Sequence, residues 1–171
     1  MFWLTPVRFL VEALTAESSS RQIALGFAMG LVIGLVPKGN LLAIALLTVL
    51  YCLRVNLAAG LAGALLFSWM GVLTDPLTHR IGLWLLSAEP LVPMWTALYD
   101  LPVAPWTAFN NTVVLGSLVL GLALFYPVYR LSEPLAARLT PPLRQRLQQF
   151  RLVRLLWGLE LAGGLGGASS R

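Results

Sequence analysis

Long apolar runs alternate with short polar breaks along this chain, and the length of each run limits what it can do. Ile23 to Val36 is fourteen residues and Leu41 to Leu53 is thirteen, parted by Pro37-Lys38-Gly39-Asn40. A bilayer core of about 30 Å asks for roughly 20 helical residues. Neither run crosses easily, and a charge beside a Pro-x-Gly break predicts a re-entrant hairpin or a broken helix pair. Non-helical backbone at membrane depth persists only where protein or water surrounds it. Val55 to Thr74 is twenty residues without a charge, the clearest spanning helix, and Asp75-Pro76 is predicted to stop it. Asn110-Asn111-Thr112 opens the last span, Val113 to Tyr129, with Asn111 in the capping position.

The ends and the middle are less regular. Phe2 to Thr15 reads as a short amphipathic helix, either lying in the interface or packed on the bundle. Glu17-Ser18-Ser19-Ser20 breaks it and supplies a serine cap for the next helix. Between Pro76 and Phe109, prolines 76, 90, 93, 102 and 105 punctuate short apolar pieces bearing Trp84, Trp95, Tyr99 and Trp106. These aromatics fit an interfacial belt. The segment reads as interfacial helices, with a second re-entrant excursion turning near Asp100 as the alternative. Ser132-Glu133-Pro134 and Thr140-Pro141-Pro142 predict the starts of two tail helices. In the second, Leu143, Leu147, Phe150, Val153 and Trp157 form a stripe opposite arginines and glutamines. The predicted fold class is an all-α integral membrane protein. It combines a short broken or re-entrant helical hairpin, two spanning helices, and interfacial amphipathic helices at both ends. Residues 1–131 form the membrane domain and 132–171 a cytoplasmic basic amphipathic tail. Gly26, Gly30 and Gly34 share one helical face, as do Gly60, Ala64 and Ser68, and both faces predict close helix packing.

Composition strengthens the membrane reading. Hydrophobic residues make up 58% and charged residues 11%, against about 25% charged in ordinary globular chains. Placing both termini in the cytoplasm leaves only Arg80 clearly outside and sets arginines 8, 21, 54, 130, 138, 144, 146, 151, 154 and 171 inside. That obeys the positive-inside rule and predicts a multi-pass membrane protein with both termini in the cytoplasm. The arginines of the tail suit anionic lipid headgroups. No nucleic-acid module accompanies them, so no nucleic-acid partner is expected. The expected partners are lipids and either a second copy of the chain or a membrane or periplasmic protein. The lone Cys52 reads as a buried structural thiol.

Candidate chemistry concentrates at three places. Lys38 is the only lysine, and with Gly39 and Asn40 it opens a helix whose first N–H groups carry partial positive charge. A lipid phosphate or a carboxylate fits there; the competing reading is a lysine snorkelling to a headgroup. On either reading Lys38→Met deletes a charge and spares the fold. Asn110 and Asn111 are second candidates for ligand contact, with capping as the default role of Asn111. Asp75 and His79 stand four apart beside Arg80. On one helix they share a face and suit a proton relay, or else a cap and a surface ion pair. Two ligands make a poor metal site, so neither metal nor cofactor is expected. One His, one Cys, no Gly-x-Ser-x-Gly, no P-loop and dispersed Asp75, Glu89 and Asp100 argue against an enzyme.

The run from Gly26 to Asn40, followed by Arg54-Val55-Asn56, resembles the bacterial family known as domain of unknown function 2062. Asp75-Pro76-Leu77-Thr78-His79-Arg80, Trp95-Thr96-Ala97-Leu98-Tyr99 and Phe109-Asn110-Asn111-Thr112 extend the likeness to a narrower branch of that family over Met1 to about Leu131. The resemblance implies a bacterial inner-membrane protein and transfers no activity. The expected role is a non-catalytic accessory or scaffold linked to envelope or lipid processes. The alternative is a transporter-like protein binding an anionic lipid or solute at the tip from Pro37 to Asn40.

Overall fold

The computed structural model describes residues 18–149, with side chains as far as residue 139. Five α helices make up the described residues: α1 (Ser20–Leu35), α2 (Leu41–Cys52), α3 (Leu57–Ser87), α4 (Val92–Tyr99) and α5 (Thr112–Gln149). Short 3-10 turns at Glu89–Leu91 and Ala104–Thr107 flank α4, and the described residues contain no strand. Two of the helices, α3 and α5, are long and apolar enough to cross a membrane. Most of their surface faces outward, since only 28% of the most apolar window of each is buried. The amphipathic helix expected over Phe2 to Thr15 and the stripe from Leu143 to Trp157 lie outside the described side chains.

Local chemistry sets the helix ends. Ser19 closes a capping box on α1: its Oγ accepts from the Gln22 N–H at 3.3 Å, and Gln22 Oε1 accepts from the Ser19 N–H at 2.9 Å. Val36 ends α1 in an extended conformation because Pro37 follows it. Gly39 turns the chain with φ 93°, in the left-handed region open to glycine. Asn40 then caps α2, accepting from the Ala43 N–H at 2.8 Å, and its own amide donates to Pro37 O at 2.8 Å. Asn56 caps α3 in the same way through the Ala59 N–H at 2.8 Å.

Packing departs from a simple hairpin. The short α1 lies between α3 and α5 and contains more buried residues than any other helix, including Ala24, Ala28, Leu31, Val32 and Ile33. Its glycine face meets α3 rather than α2. A Cβ on Gly30 would lie 2.7 Å from Ala64 N and 2.9 Å from Gly63 Cα, with Gly60 O nearer still. Gly26 opposes Asn56 and Gly34 opposes Phe67, so α1 and α3 run parallel. The α5 helix runs antiparallel to both: Gly121 faces Val32, and Gly116 and Gly82 bring the α5 and α3 backbones into contact at Thr78 and Thr112. By contrast α2 buries only Ala43 and Leu50, leaving Ile44, Val49 and Tyr51 exposed. The thiol of Cys52 is exposed at its end, not buried as its apolar run suggests, because α2 lies on the outside of the bundle.

Three predicted breaks are absent. Asp75-Pro76 does not end the helix, since α3 is 31 residues long and continues through Pro76 to Ser87. The stretch from Pro76 to Ser87 is therefore a continuation of α3 rather than a separate short helix. Likewise α5 runs unbroken through Pro127, Pro134, Pro141 and Pro142, so no new helix starts at Ser132 or Thr140. An interior proline removes one backbone hydrogen bond at a cost of about 3 kcal/mol. Contacts along whole helices outweigh that, and hydroxyls bond to nearby carbonyls. Thr74 Oγ1 donates to Gly71 O at 3.0 Å, and Ser132 Oγ donates to Val128 O at 2.6 Å. Ser132 thus serves the helix that it was expected to interrupt.

Candidate functional site

The tip between α1 and α2 is organised by Lys38, and its ammonium points backwards. Nζ donates to Ile33 O at 2.8 Å, Gly34 O at 2.9 Å and Val36 O at 2.8 Å. These carbonyls end α1, where the helix dipole is negative and the last C=O groups lack helical partners. An ammonium has three N–H donors, and all three are engaged. Lys38 thus caps the C-terminus of α1, while the Asn40 side chain serves one of the first N–H groups of α2, that of Ala43. Gly39 is exposed, and a Cβ there would meet nothing within 4 Å.

Beside this cap lies a cavity of about 210 Å³, lined by Gly34, Leu35, Val36, Pro37 and Lys38 on one side and Ser68, Gly71, Val72 and Asp75 on the other. Ser68, Gly71 and Asp75 fall three and four residues apart, so one face of α3 presents all three to the end of α1. That spacing was the available signal for Ser68, which sequence reasoning placed only in a packing face, and for Gly71, which it did not select. Ser68 Oγ donates to Ala64 O at 2.6 Å, leaving its lone pairs. Asp75 is half-buried.

The group of Asp75, His79 and Arg80 divides. All three lie on α3, but His79 Nδ1 is 2.6 Å from Thr112 Oγ1 on α5 rather than joined to Asp75. Among the described residues neither Asp75 nor Arg80 forms an ion pair, and no group of three potential metal-ligating side chains occurs. Asn111 caps α5, its Oδ1 accepting from Val113 N at 2.9 Å and Val114 N at 3.3 Å, and Asn110 is exposed just before it. Beyond α3, Trp95 Nε1 donates to Leu85 O at 3.0 Å and its ring stacks on Phe109 at 6.0 Å, which ties α4 to the end of α3.

At the opposite end, Gln22 Nε2 reaches Arg54 O at 3.4 Å, and Arg21 pairs with Glu133 at 3.2 Å. This pair is exposed and contributes at most about 1 kcal/mol. It places Arg21, Arg54 and the far part of α5 together, away from Asp75 and Arg80.

Comparison with known proteins gives a consistent result. Residues 7–140 match the family profile described as an uncharacterized protein conserved in bacteria, DUF2062. A protein of Treponema pallidum (strain Nichols), described as an uncharacterized protein, is 30% identical over 124 residues, covering 72% of this chain and 76% of the relative. No solved structure matches the chain.

Proposed function

The chain belongs to the DUF2062 family of bacterial proteins, and we propose that it acts as a non-catalytic scaffold of the inner membrane. The observation that carries this reading is the interlocking of α1, α3 and α5 through backbone contacts at Gly26, Gly30, Gly82 and Gly116. Helices this close cannot slide or rock without repacking the whole core, whereas alternating access requires one bundle to move against another. The engaged ammonium of Lys38 weighs further against an anion carrier at the tip.

Several features support the membrane setting. Trp69, Val72, Leu73 and Trp84 of α3 are each more than 70% exposed. In water they would make an apolar patch far beyond what a soluble monomer shows, whereas lipid suits them. The 16 residues of α1 reach about 24 Å and the 12 of α2 about 18 Å, both short of the roughly 30 Å hydrocarbon core. The two form a re-entrant pair whose tip stops inside the far boundary. Arg21 and Arg54 lie at the cytoplasmic end, with both termini on that side and the basic tail on anionic lipid. A second copy of the chain or a membrane or periplasmic protein would dock on the lipid-facing helices.

Orientation is checked by a reporter active only outside the cytoplasm. Insertion near Glu89 is expected to give signal and fusion after Arg171 none; a bright C-terminal fusion overturns the topology. The static role is checked by joining α1 to α5. In a Cys52→Ala background, Arg21→Cys and Glu133→Cys are linked by a short bifunctional thiol reagent. A scaffold locked this way is expected to keep supporting growth of a deletion strain under envelope stress. Loss of complementation only on cross-linking favours a moving transporter.

A further inference from the structure

The cavity beside the Lys38 cap has an unusual balance of donors and acceptors. Lys38, its obvious donor, has all three N–H groups on Ile33, Gly34 and Val36 carbonyls. Ser68 has committed its proton to Ala64 O. Among the described residues the Asp75 carboxylate has no hydrogen-bond or ion-pair partner. Pro76 has no N–H for the Val72 carbonyl four residues back, and Val72 also lines the cavity. The uncommitted polar groups of this wall are therefore acceptors, one of them anionic.

Such a lining selects a cation that brings its own N–H donors. The volume of about 210 Å³ equals several water molecules at about 30 Å³ each, more than a bare ion fills. A metal ion would also want several anionic or carbonyl ligands arranged around it, and only one carboxylate lines the cavity. Leu35, Val36 and Pro37 supply an apolar wall for carbon atoms next to the charge. We infer that this cavity binds a primary ammonium group, with Asp75 as its counter-ion and the Ser68 oxygen as a further acceptor. The ammonium is carried by an ethanolamine-type lipid headgroup or by a free small amine. The inference rests on the cavity alone and stands or falls independently of the scaffold role.

The test uses the full chain in nanodiscs made with phosphatidylethanolamine or with phosphatidylcholine, whose quaternary headgroup has no N–H. Native mass spectrometry after release into detergent counts retained lipid, and ethanolamine and choline are titrated separately as free probes. The wild type is expected to retain the ethanolamine lipid, or to bind free ethanolamine, in preference to its trimethylated counterpart. Asp75→Asn, which keeps the shape and removes the charge, is expected to weaken that preference about tenfold or more, the loss of one charged hydrogen bond. Lipid retention without a response to free ethanolamine assigns the headgroup as ligand; the reverse assigns a soluble amine. Equal behaviour of primary and quaternary amines in the wild type overturns the inference, and that comparison holds even if Asp75→Asn fails to fold. A folded Asp75→Asn protein with unchanged preference overturns it as well.

Discussion

Gly30→Leu is expected to abolish folded protein in detergent, while Gly71→Ala is expected to melt close to the wild type. Both glycines lie at the contact of α1 with α3, so a general dislike of side chains there would affect both. The geometry separates them. A Cβ on Gly30 would come within 2.7 Å of Ala64 N and 2.9 Å of Gly63 Cα, and backbone atoms cannot turn aside as a side chain does. A Cβ on Gly71 would meet Leu35 O at 3.5 Å, ordinary van der Waals contact. Overpacking a core costs about 1–3 kcal/mol when side chains can shift. Prying two helices apart costs more, because every contact along α1 is lost together. Size-exclusion profile and thermal melting in one detergent read the difference. Gly30→Leu melting like the wild type would remove the case for a rigid core and, with it, the main support for a scaffold.

Lys38→Met is expected to lower the melting temperature clearly, contrary to the fold-neutral effect that the sequence alone suggests. Methionine keeps an apolar stem but leaves the carbonyls of Ile33, Gly34 and Val36 without the donor that now serves all three. A hydrogen bond to a charged group contributes roughly 1.5–3 kcal/mol. One ammonium shared among three acceptors therefore contributes about 3 kcal/mol, allowing for solvent at a half-open site. Lys38→Arg is expected to recover only part of the loss, since a planar guanidinium cannot aim three donors at a single point of convergence. Melting curves of the three proteins in the same detergent decide the matter. If Lys38→Met melts with the wild type, the ammonium faces a headgroup instead of the helix end.

Short-range physics accounts for what the amino-acid order alone foretold. Run lengths, the break from Pro37 to Asn40, the serine cap at Ser19 and the Asn111 cap all depend on atoms within about four residues of one another. So does the presence of two helices long enough to cross a bilayer. Interior prolines mislead for the complementary reason. Pro76 and Pro134 carry strong local stop signals, yet the contacts that hold α3 and α5 together lie along other helices. The partner of the Gly26, Gly30 and Gly34 face is equally invisible to spacing, which says that something packs closely but not which helix does. Lys38 looked like a charge at the start of α2, whereas its long side chain reaches back to the end of α1. Asp75 joins it across a cavity only because α1 and α3 run parallel with Gly34 and Gly71 in register. Residues 37 positions apart meet through backbone packing, and no local pattern encodes that distance.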